Sequence, residues 1–302
     1  MTDLTGAAAL SIDVEDWFHS ENVKAVVPRD SWDGCVSRVA RNTERMLEIL
    51  AKRNTPATFF VLGWVAERFP HLVPAIAAAG HEVASHGYGH ELVYRMTPEA
   101  FAADIDRSRK LLEDQSGRTV LGYRAPCFSI TDWAVDLLQE AGYAYDSSMV
   151  PALAHDRYGR LDAVDGRQPI IRLREGFDEV CVSCLQVGSR GLPWGGGGYF
   201  RLAPYALWLR GVAAIRRSGQ PYVFYIHPWE IDPDHPVPPG MSAVNRFRQR
   251  VGLNRCEDRF AAIAGDFEWS TIESLIDRWR GAEAAPEAPP SVIAAQTNER
   301  RS

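Results

Sequence analysis

His86 and His90 stand four residues apart in Ser85-His86-Gly87-Tyr88-Gly89-His90, just after a short apolar stretch. Glycines at 87 and 89 argue against a continuous helix, so the run reads as a strand passing into a loop. Two neutral imidazoles this close can chelate a divalent cation, but they leave coordination positions that call for a hard anionic ligand from elsewhere. The N-terminal Asp13-Val14-Glu15-Asp16 offers it: three carboxylates within four residues, directly behind the apolar Ala9-Leu10-Ser11-Ile12. Arg124-Ala125-Pro126, Asp146 and His227 also sit at the ends of apolar stretches. Singly, each is an ordinary ion-pair partner or hydrogen-bonded histidine. Jointly they suit metal-assisted hydrolysis, in which an ion polarises water and a carbonyl, a carboxylate takes the water's proton, and a histidine opposite protonates the leaving group.

The elements that must position these groups alternate. A buried strand over 9–12 precedes an amphipathic helix over 36–52, ended by Asn54-Thr55-Pro56; a strand over 57–62 and a helix over about 64–79, stopped by Gly80, lead into the strand before His86. Thr97-Pro98-Glu99 opens a helix to about residue 115, with Gly117 after it. A strand over 120–123, a helix over 131–141 and a strand over 143–145 follow; beyond a polar excursion over 151–168, strand character resumes at 170–173 and 180–185. A helix over 204–218 leads to a strand over 221–226 whose next residue is His227. Such alternation implies parallel pairing, and polar groups gathered at strand C-termini match the functional face of a β/α barrel, with a doubly wound sheet as runner-up. The expected organisation is one α/β domain over 8–281, with a core over 8–232 and a C-terminal helical extension over 240–281. Its helices, over 244–264 and 270–279, are expected to pack on the outside, and 282–302, rich in Ala, Pro and Glu and then polar, reads as a disordered tail.

Composition narrows the partners. The net charge is −6 with lysines and arginines scattered, which leaves no footprint for nucleic acid or an anionic membrane surface. The first residues lack a basic region followed by a long apolar segment, and no run approaches the ~20 apolar residues of a spanning helix. The expected location is cytoplasmic, with the periphery of the inner membrane as a variant. Five cysteines, an odd number, favour reduced thiols. Cys181 and Cys184 read as two small apolar residues in a strand, since no second pair follows at zinc-finger spacing.

In order and spacing, the four motifs at Asp13, Ser85-His86-x3-His90, Arg124-x-Pro126 and Phe224-x-x-His227 resemble those of the polysaccharide deacetylases of carbohydrate esterase family 4, over roughly residues 10–229. The resemblance implies a NodB-type distorted (β/α) barrel that removes N-acetyl groups from N-acetylhexosamine units. It implies Asp13 as base, Arg124 supporting it, His227 as general acid kept cationic by Asp146, and His86 and His90 as metal ligands, the ion being zinc with cobalt or nickel as substitutes. Asp13 is followed by valine where the family commonly has a second aspartate, so Glu15 or Asp16 is left as the metal carboxylate. Strand alternation favours Glu15, whereas a turn directly after Asp13 would favour Asp16. Cys127 replaces the usual aromatic after Arg-x-Pro, but its backbone N–H can still serve as an oxyanion donor. Phe224, in place of leucine, is expected to narrow the acetyl pocket, and Trp17, Phe18, Trp194, Tyr199 and Trp229 are candidates for stacking on sugars.

The stretches Asp13 to Phe18, Gly195 to Arg201, His227 to Asp232 and Val251 to Arg255 are similar to one subgroup, the exosortase-associated deacetylases found with bacterial exopolysaccharide assembly genes. That similarity implies an exopolysaccharide or its precursor as the N-acetylated glycan. The alternatives are a non-catalytic glycan-binding protein on the same fold and a related hydrolase of small-molecule C–N amide bonds. The four-glycine run lacks the Gly-Lys-Ser/Thr ending of a phosphate-binding loop, and its glycines are expected to allow close backbone approach to the barrel or to a sugar.

Overall fold

The computed structural model describes residues 4–152, 158–166, 168–188 and 190–284. Strand β1 (Ala8–Val14) is buried along its whole length. After it come α1 (Val39–Arg53), β2 (Thr58–Val61), α2 (Gly63–Arg68), α3 (Leu72–Ala78), β3 (Glu82–Ser85), α4 (Pro98–Ser116), β4 (Gly122–Tyr123), α5 (Asp132–Glu140) and β5 (Tyr145–Asp146). The second half runs β6 (Ile170–Arg174), β7 (Phe177–Val180), β8 (Leu185–Val187), β9 (Arg190–Leu192), α6 (Gly197–Leu202), α7 (Tyr205–Arg217), β10 (Tyr222–Ile226), α8 (Ala243–Arg250), α9 (Cys256–Asp266), β11 (Trp269–Ser270) and α10 (Ile272–Ala284).

The main sheet has the order β10-β1-β2-β3-β4-β5-β7-β6, with β11 also pairing β1. Its pairs are parallel except β6 with β7. Irregular backbone links β7 to β10: the Ser183 N–H donates to the Val223 carbonyl (3.2 Å), the Gly195 N–H to the Ser183 carbonyl (2.7 Å) and the Tyr225 N–H to the Gly195 carbonyl (2.8 Å). The result is a distorted (β/α) barrel, not a doubly wound sheet. Along β1, Ala8, Leu10, Ile12 and Val14 join the core under the outer helices, while Ala9 belongs to a second cluster on the inner face. Strand alternation therefore aims Ser11 and Asp13 inward.

Local chemistry explains where most elements stop. At α4 the Thr97 hydroxyl accepts from the Ala100 N–H, Pro98 opens the first turn, and Gly117 ends the helix at φ 65°. The helix expected over 64–79 is two helices, because Pro70 lies between α2 and α3 and has no N–H to give a continuing ladder. The helix expected over 244–264 breaks at Gly252, which has φ +71° and where a Cβ would lie 2.2 Å from the Arg201 carbonyl oxygen. The strand expected over 180–185 ends at Val180. Cys181 to Cys184 leaves it for the link to β10, with both thiols buried and unbridged.

The C-terminal helix also departs from expectation. Ile272, Leu275, Ile276 and Trp279 of α10 cluster with Ala9, Phe60, Ala84 and Val223 from the inner face of the sheet. The helix thus plugs the barrel at the ends where its strands begin, and does not pack outside. Residues 282–284 of the expected tail continue α10, and 285–302 lie outside the described residues, as do 153–157 and 167 of the polar excursion. Truncating the plug should be costly: Ile276→Ala is expected to lower unfolding free energy by about 2–5 kcal/mol in a urea titration. A loss below about 0.5 kcal/mol would mark α10 as peripheral.

Candidate active site

The inner face of β1 turns polar at its end, where Asp13 is buried against Arg124. The Arg124 Nη1 donates to Asp13 Oδ1 (2.7 Å) and to the Ser11 hydroxyl (2.8 Å), its Nε to the Ser147 carbonyl (2.8 Å) and its Nη2 to the Ser147 hydroxyl (2.9 Å). The guanidinium carbon lies 4.1 Å from the centroid of the Phe60 ring. Four of the five guanidinium N–H donors are taken by these partners, so one oxygen of Asp13 is fixed and Oδ2 remains directed at the cleft.

Glu15, His86 and His90 form the one group of potential metal ligands found among the described residues, with their ligand atoms within 4.8 Å of one another and all three residues buried. His86 donates from Nδ1 to the Arg124 carbonyl (2.8 Å), which leaves its Nε2 lone pair free to ligate. Burial pushes the His86 imidazole down to about 4, so it is neutral over the ordinary pH range. The loop between the histidines is held by Asp104, whose carboxylate accepts from the backbone N–H groups of Tyr88 (2.7 Å) and Gly89 (3.0 Å). That hold lets His90 adopt a left-handed φ of 55°. His90 Nε2 and Glu15 Oε2 are 2.8 Å apart, yet both are buried without a properly directed hydrogen-bond partner among the described residues. Two orphaned ligand atoms converging beside a neutral imidazole fit a single divalent ion. Burial alone would push the Glu15 carboxyl up, but His90 and His227 hold it well below the usual carboxylate range.

Asp16 faces elsewhere. Its Oδ2 accepts from the Ser37 hydroxyl (2.5 Å) and from the backbone N–H groups of Arg38 (2.7 Å) and Val39 (3.0 Å), the unsatisfied donors at the start of α1. Arg38, the residue at the cap position, gives that helix no side-chain hydrogen bond, so the acid offered as a possible ligand is a helix cap.

His227 closes the opposite side, with Nε2 2.9 Å from Glu15 Oε1 and 3.9 Å from Asp13 Oδ2. Its expected partner is corrected. Asp146 is turned to Ser148, whose hydroxyl donates to it (2.5 Å) and accepts from the Ala125 N–H (2.7 Å), so it supports the Arg124 segment from behind. The group beside His227 is Glu230, whose Oε2 accepts from His227 Nδ1 (2.9 Å) and from its backbone N–H (3.0 Å). Burial opposes ionisation of Glu230, but Arg201 and His227 bring its carboxyl down to about 2. Sequence reading missed Glu230, although its i,i+3 spacing from His227 on a tight turn was the available signal.

Cys127, Tyr199 and Trp229 line a cleft of about 670 Å³ together with Asp13, Glu15 and His227. Cys127 is on its wall at φ 51°. Trp229 stacks on the His227 ring at 5.5 Å. Trp194 is corrected: its indole N–H donates to the Trp208 carbonyl (2.9 Å), turning the ring onto α7 and away from the cleft. Trp17 and Phe18 are core residues, and Phe224 points outward among Phe200, Trp208 and Trp269, so Tyr225 and not Phe224 lines the cleft. Within the glycine run a Cβ at Gly195 would lie 2.4 Å from the Val223 carbonyl oxygen and one at Gly197 2.1 Å from Glu230 Oε2, while Gly196 and Gly198 line the cleft.

Residues 31–145 match the family described as polysaccharide deacetylase, and residues 147–277 match a domain of unknown function (DUF3473). A peptidoglycan deacetylase of Helicobacter pylori is 32% identical over 139 residues, 42% of this chain and 47% of that one. A peptidoglycan-N-acetylglucosamine deacetylase of Bacillus cereus is 28% identical over 120 residues, 35% of this chain and 44% of that one. The chain thus spans less than half the length of either relative. A Mycobacterium smegmatis crystal structure, provisionally named a polysaccharide deacetylase, superposes with a TM-score of 0.64 at 21% identity, over 94% of this chain and 93% of that one. That likeness concerns the fold.

The two acids that follow Val14 should separate cleanly. Glu15→Gln is expected to lose bound metal, measured by elemental analysis of purified protein, with little change in stability. Asp16→Ala should keep the metal and lose about 1–3 kcal/mol, because it strands buried donors. The reverse pattern would exchange their roles.

Proposed function

We propose, for a chain whose residues 31–145 belong to the polysaccharide deacetylase family, that it hydrolyses the acetamide of N-acetylhexosamine units in a glycan, releasing acetate and a free amine. The observation that carries this reading is the convergence on one cleft of an arginine-held carboxylate, a buried Glu15-His86-His90 trio and a histidine paired to a second carboxylate. Glu15, His86 and His90 would hold one divalent ion, zinc in this reading with cobalt or nickel as substitutes, which would supply Lewis-acid polarisation and a more acidic bound water.

The chain's own groups account for the proton movements. Asp13, one oxygen fixed by Arg124 and the other facing the cleft, accepts the proton of the attacking water. The backbone N–H of Cys127 is the donor assigned to the developing oxyanion. His227 gives its proton to the departing nitrogen, so that the C–N bond breaks to an amine and not to an amide anion. Glu230 holds the imidazole through Nδ1, which leaves Nε2 facing Asp13 and Glu15 across the cleft. Burial would pull the His227 imidazole down, but Glu15 and Glu230 raise it well above its ordinary value, which favours the protonated form an acid needs. Tyr199 and Trp229 are the aromatic surfaces available to a sugar ring.

For substrate, the reading takes a bacterial exopolysaccharide or its precursor, in line with the motif stretches that follow Gly195 and His227. For location it keeps the cytoplasm or the periphery of the inner membrane. Among the described residues no helix is long and apolar enough to cross a membrane.

Two experiments test the chemistry. Purified protein is expected to release acetate from N-acetylated oligosaccharides in an enzyme-coupled acetate assay, and cleavage of O-acetyl esters alone would refute the amide reading. Asp13→Asn should retain bound metal and lower kcat by about two to four orders of magnitude, the range for a positioned acid or base. Wild-type turnover in that variant would remove Asp13 from its role.

A further inference from the structure

We infer that Arg201 is the positioning residue for His227, acting through Glu230, and that the same guanidinium ties the helix at the lip of the cleft to that acid; the inference rests on the reading of His227 as proton donor. Arg201 is buried, and its Nε donates to Glu230 Oε1 at 2.7 Å. The other oxygen of Glu230 is taken by His227, at both its backbone N–H and Nδ1. With each carboxylate oxygen held by a separate partner, Glu230 cannot rotate, and the imidazole it binds keeps one orientation. A second route runs through Trp229: the Arg201 guanidinium carbon lies 5.3 Å from the centroid of the indole that stacks on His227.

The far side of the guanidinium reaches α8. Nη1 donates to the Val251 carbonyl (2.6 Å) and more weakly to that of Gln249 (3.5 Å), and Nη2 donates to the carbonyl of Arg248 (3.1 Å). These are acceptors that a helix leaves unsatisfied at its C-terminus, so Arg201 serves as the cap of α8. Phe247, Arg248 and Val251 from this segment line the cleft. One planar, five-donor group therefore sets the lip and the acid in register, which a lysine ammonium could not do from a single point. The surrounding glycines are sized for this arrangement. A Cβ at Gly197 would lie 2.1 Å from Glu230 Oε2, and one at Gly252 would lie 2.2 Å from the Arg201 carbonyl oxygen.

A double-mutant cycle on the full chain tests this, with an N-acetylglucosamine tetrasaccharide as substrate and proton NMR of the His227 Nδ1–H as a readout independent of turnover. Arg201→Gln and Glu230→Gln should each lower kcat by roughly ten- to a hundredfold, and the double variant by no more than about threefold beyond the worse single one, because both changes release the same imidazole. The Nδ1–H resonance, protected from solvent in the parent protein, should exchange in Arg201→Gln while bound metal is unchanged. Arg201→Lys, which keeps a charge beside Glu230 but cannot span to α8, should recover part of kcat, and it replaces Arg201→Gln in the cycle if that variant does not fold. A protected Nδ1–H in the folded variant, wild-type kcat, or multiplicative loss in the double variant would each overturn the inference. Absence of acetate release by the parent protein would instead fall on the functional reading, and the NMR comparison would still decide the role of Arg201.

Discussion

A guanidinium with no exposed surface, that of Arg124, is the constraint on which the candidate-site end of this barrel depends. Burying a cation costs several kcal/mol unless its charge is paired and its donors are all used. Here Asp13 supplies the opposite charge, Ser11 and Ser147 take three further donors, and the face of Phe60 covers the plane. The same residue's carbonyl fixes the tautomer of His86. The proposed base and a proposed metal ligand thus take their orientations from the two ends of one residue, and Ser148 and Asp146 brace the turn that carries it.

Polarity along the barrel is graded, and β1 displays the gradient on a single face. Its inward residues pass from Ala9, packed with α10, through Ser11 to Asp13, and Glu15 follows just beyond the strand. An apolar plug fills one end, and the charges at the other end are buried in a medium that strengthens each of their pairings. The gradient is readable as an apolar run ending in acids, which is why the strand-end groups could be identified from the chain alone. The plug itself could not, because an amphipathic segment near a C-terminus looks the same whether its apolar stripe covers a sheet from outside or enters a barrel.

Legibility followed distance in the chain. Features settled within a few residues were readable: the Thr97 cap, the stop at Gly117, and the alternation that turns Glu15, and not Asp16, to the face of Asp13. Features set by which elements meet in space were not. Asp146 and His227 both end strands, but β5 and β10 are separated in the sheet by β1 to β4 on one side and by β7 and the irregular link on the other. The partner His227 acquires is the exception to this rule, since Glu230 lies three residues away on the same turn but does not end a strand. Trp194 misled because its neighbour is α7, a later element.

The two matched segments divide the site in a way that gives the unnamed one a task. His86, His90 and Arg124 fall within residues 31–145, whereas Tyr199, Arg201, His227 and Glu230 fall within residues 147–277, and Asp13 and Glu15 precede both. The second segment is no separate body, because β10 pairs with β1 through five residue pairs and β11 pairs with the same strand. Removing it would open an edge of the strand that leads to Asp13 and Glu15, and would take away the histidine, its carboxylate and the guanidinium behind them. In the reading proposed for this chain, the segment of unknown function is therefore the acid half of the catalytic centre. In that reading its glycines and Arg201 seat the carboxylate of Glu230, which holds His227, the proton donor, opposite the proposed metal ligands.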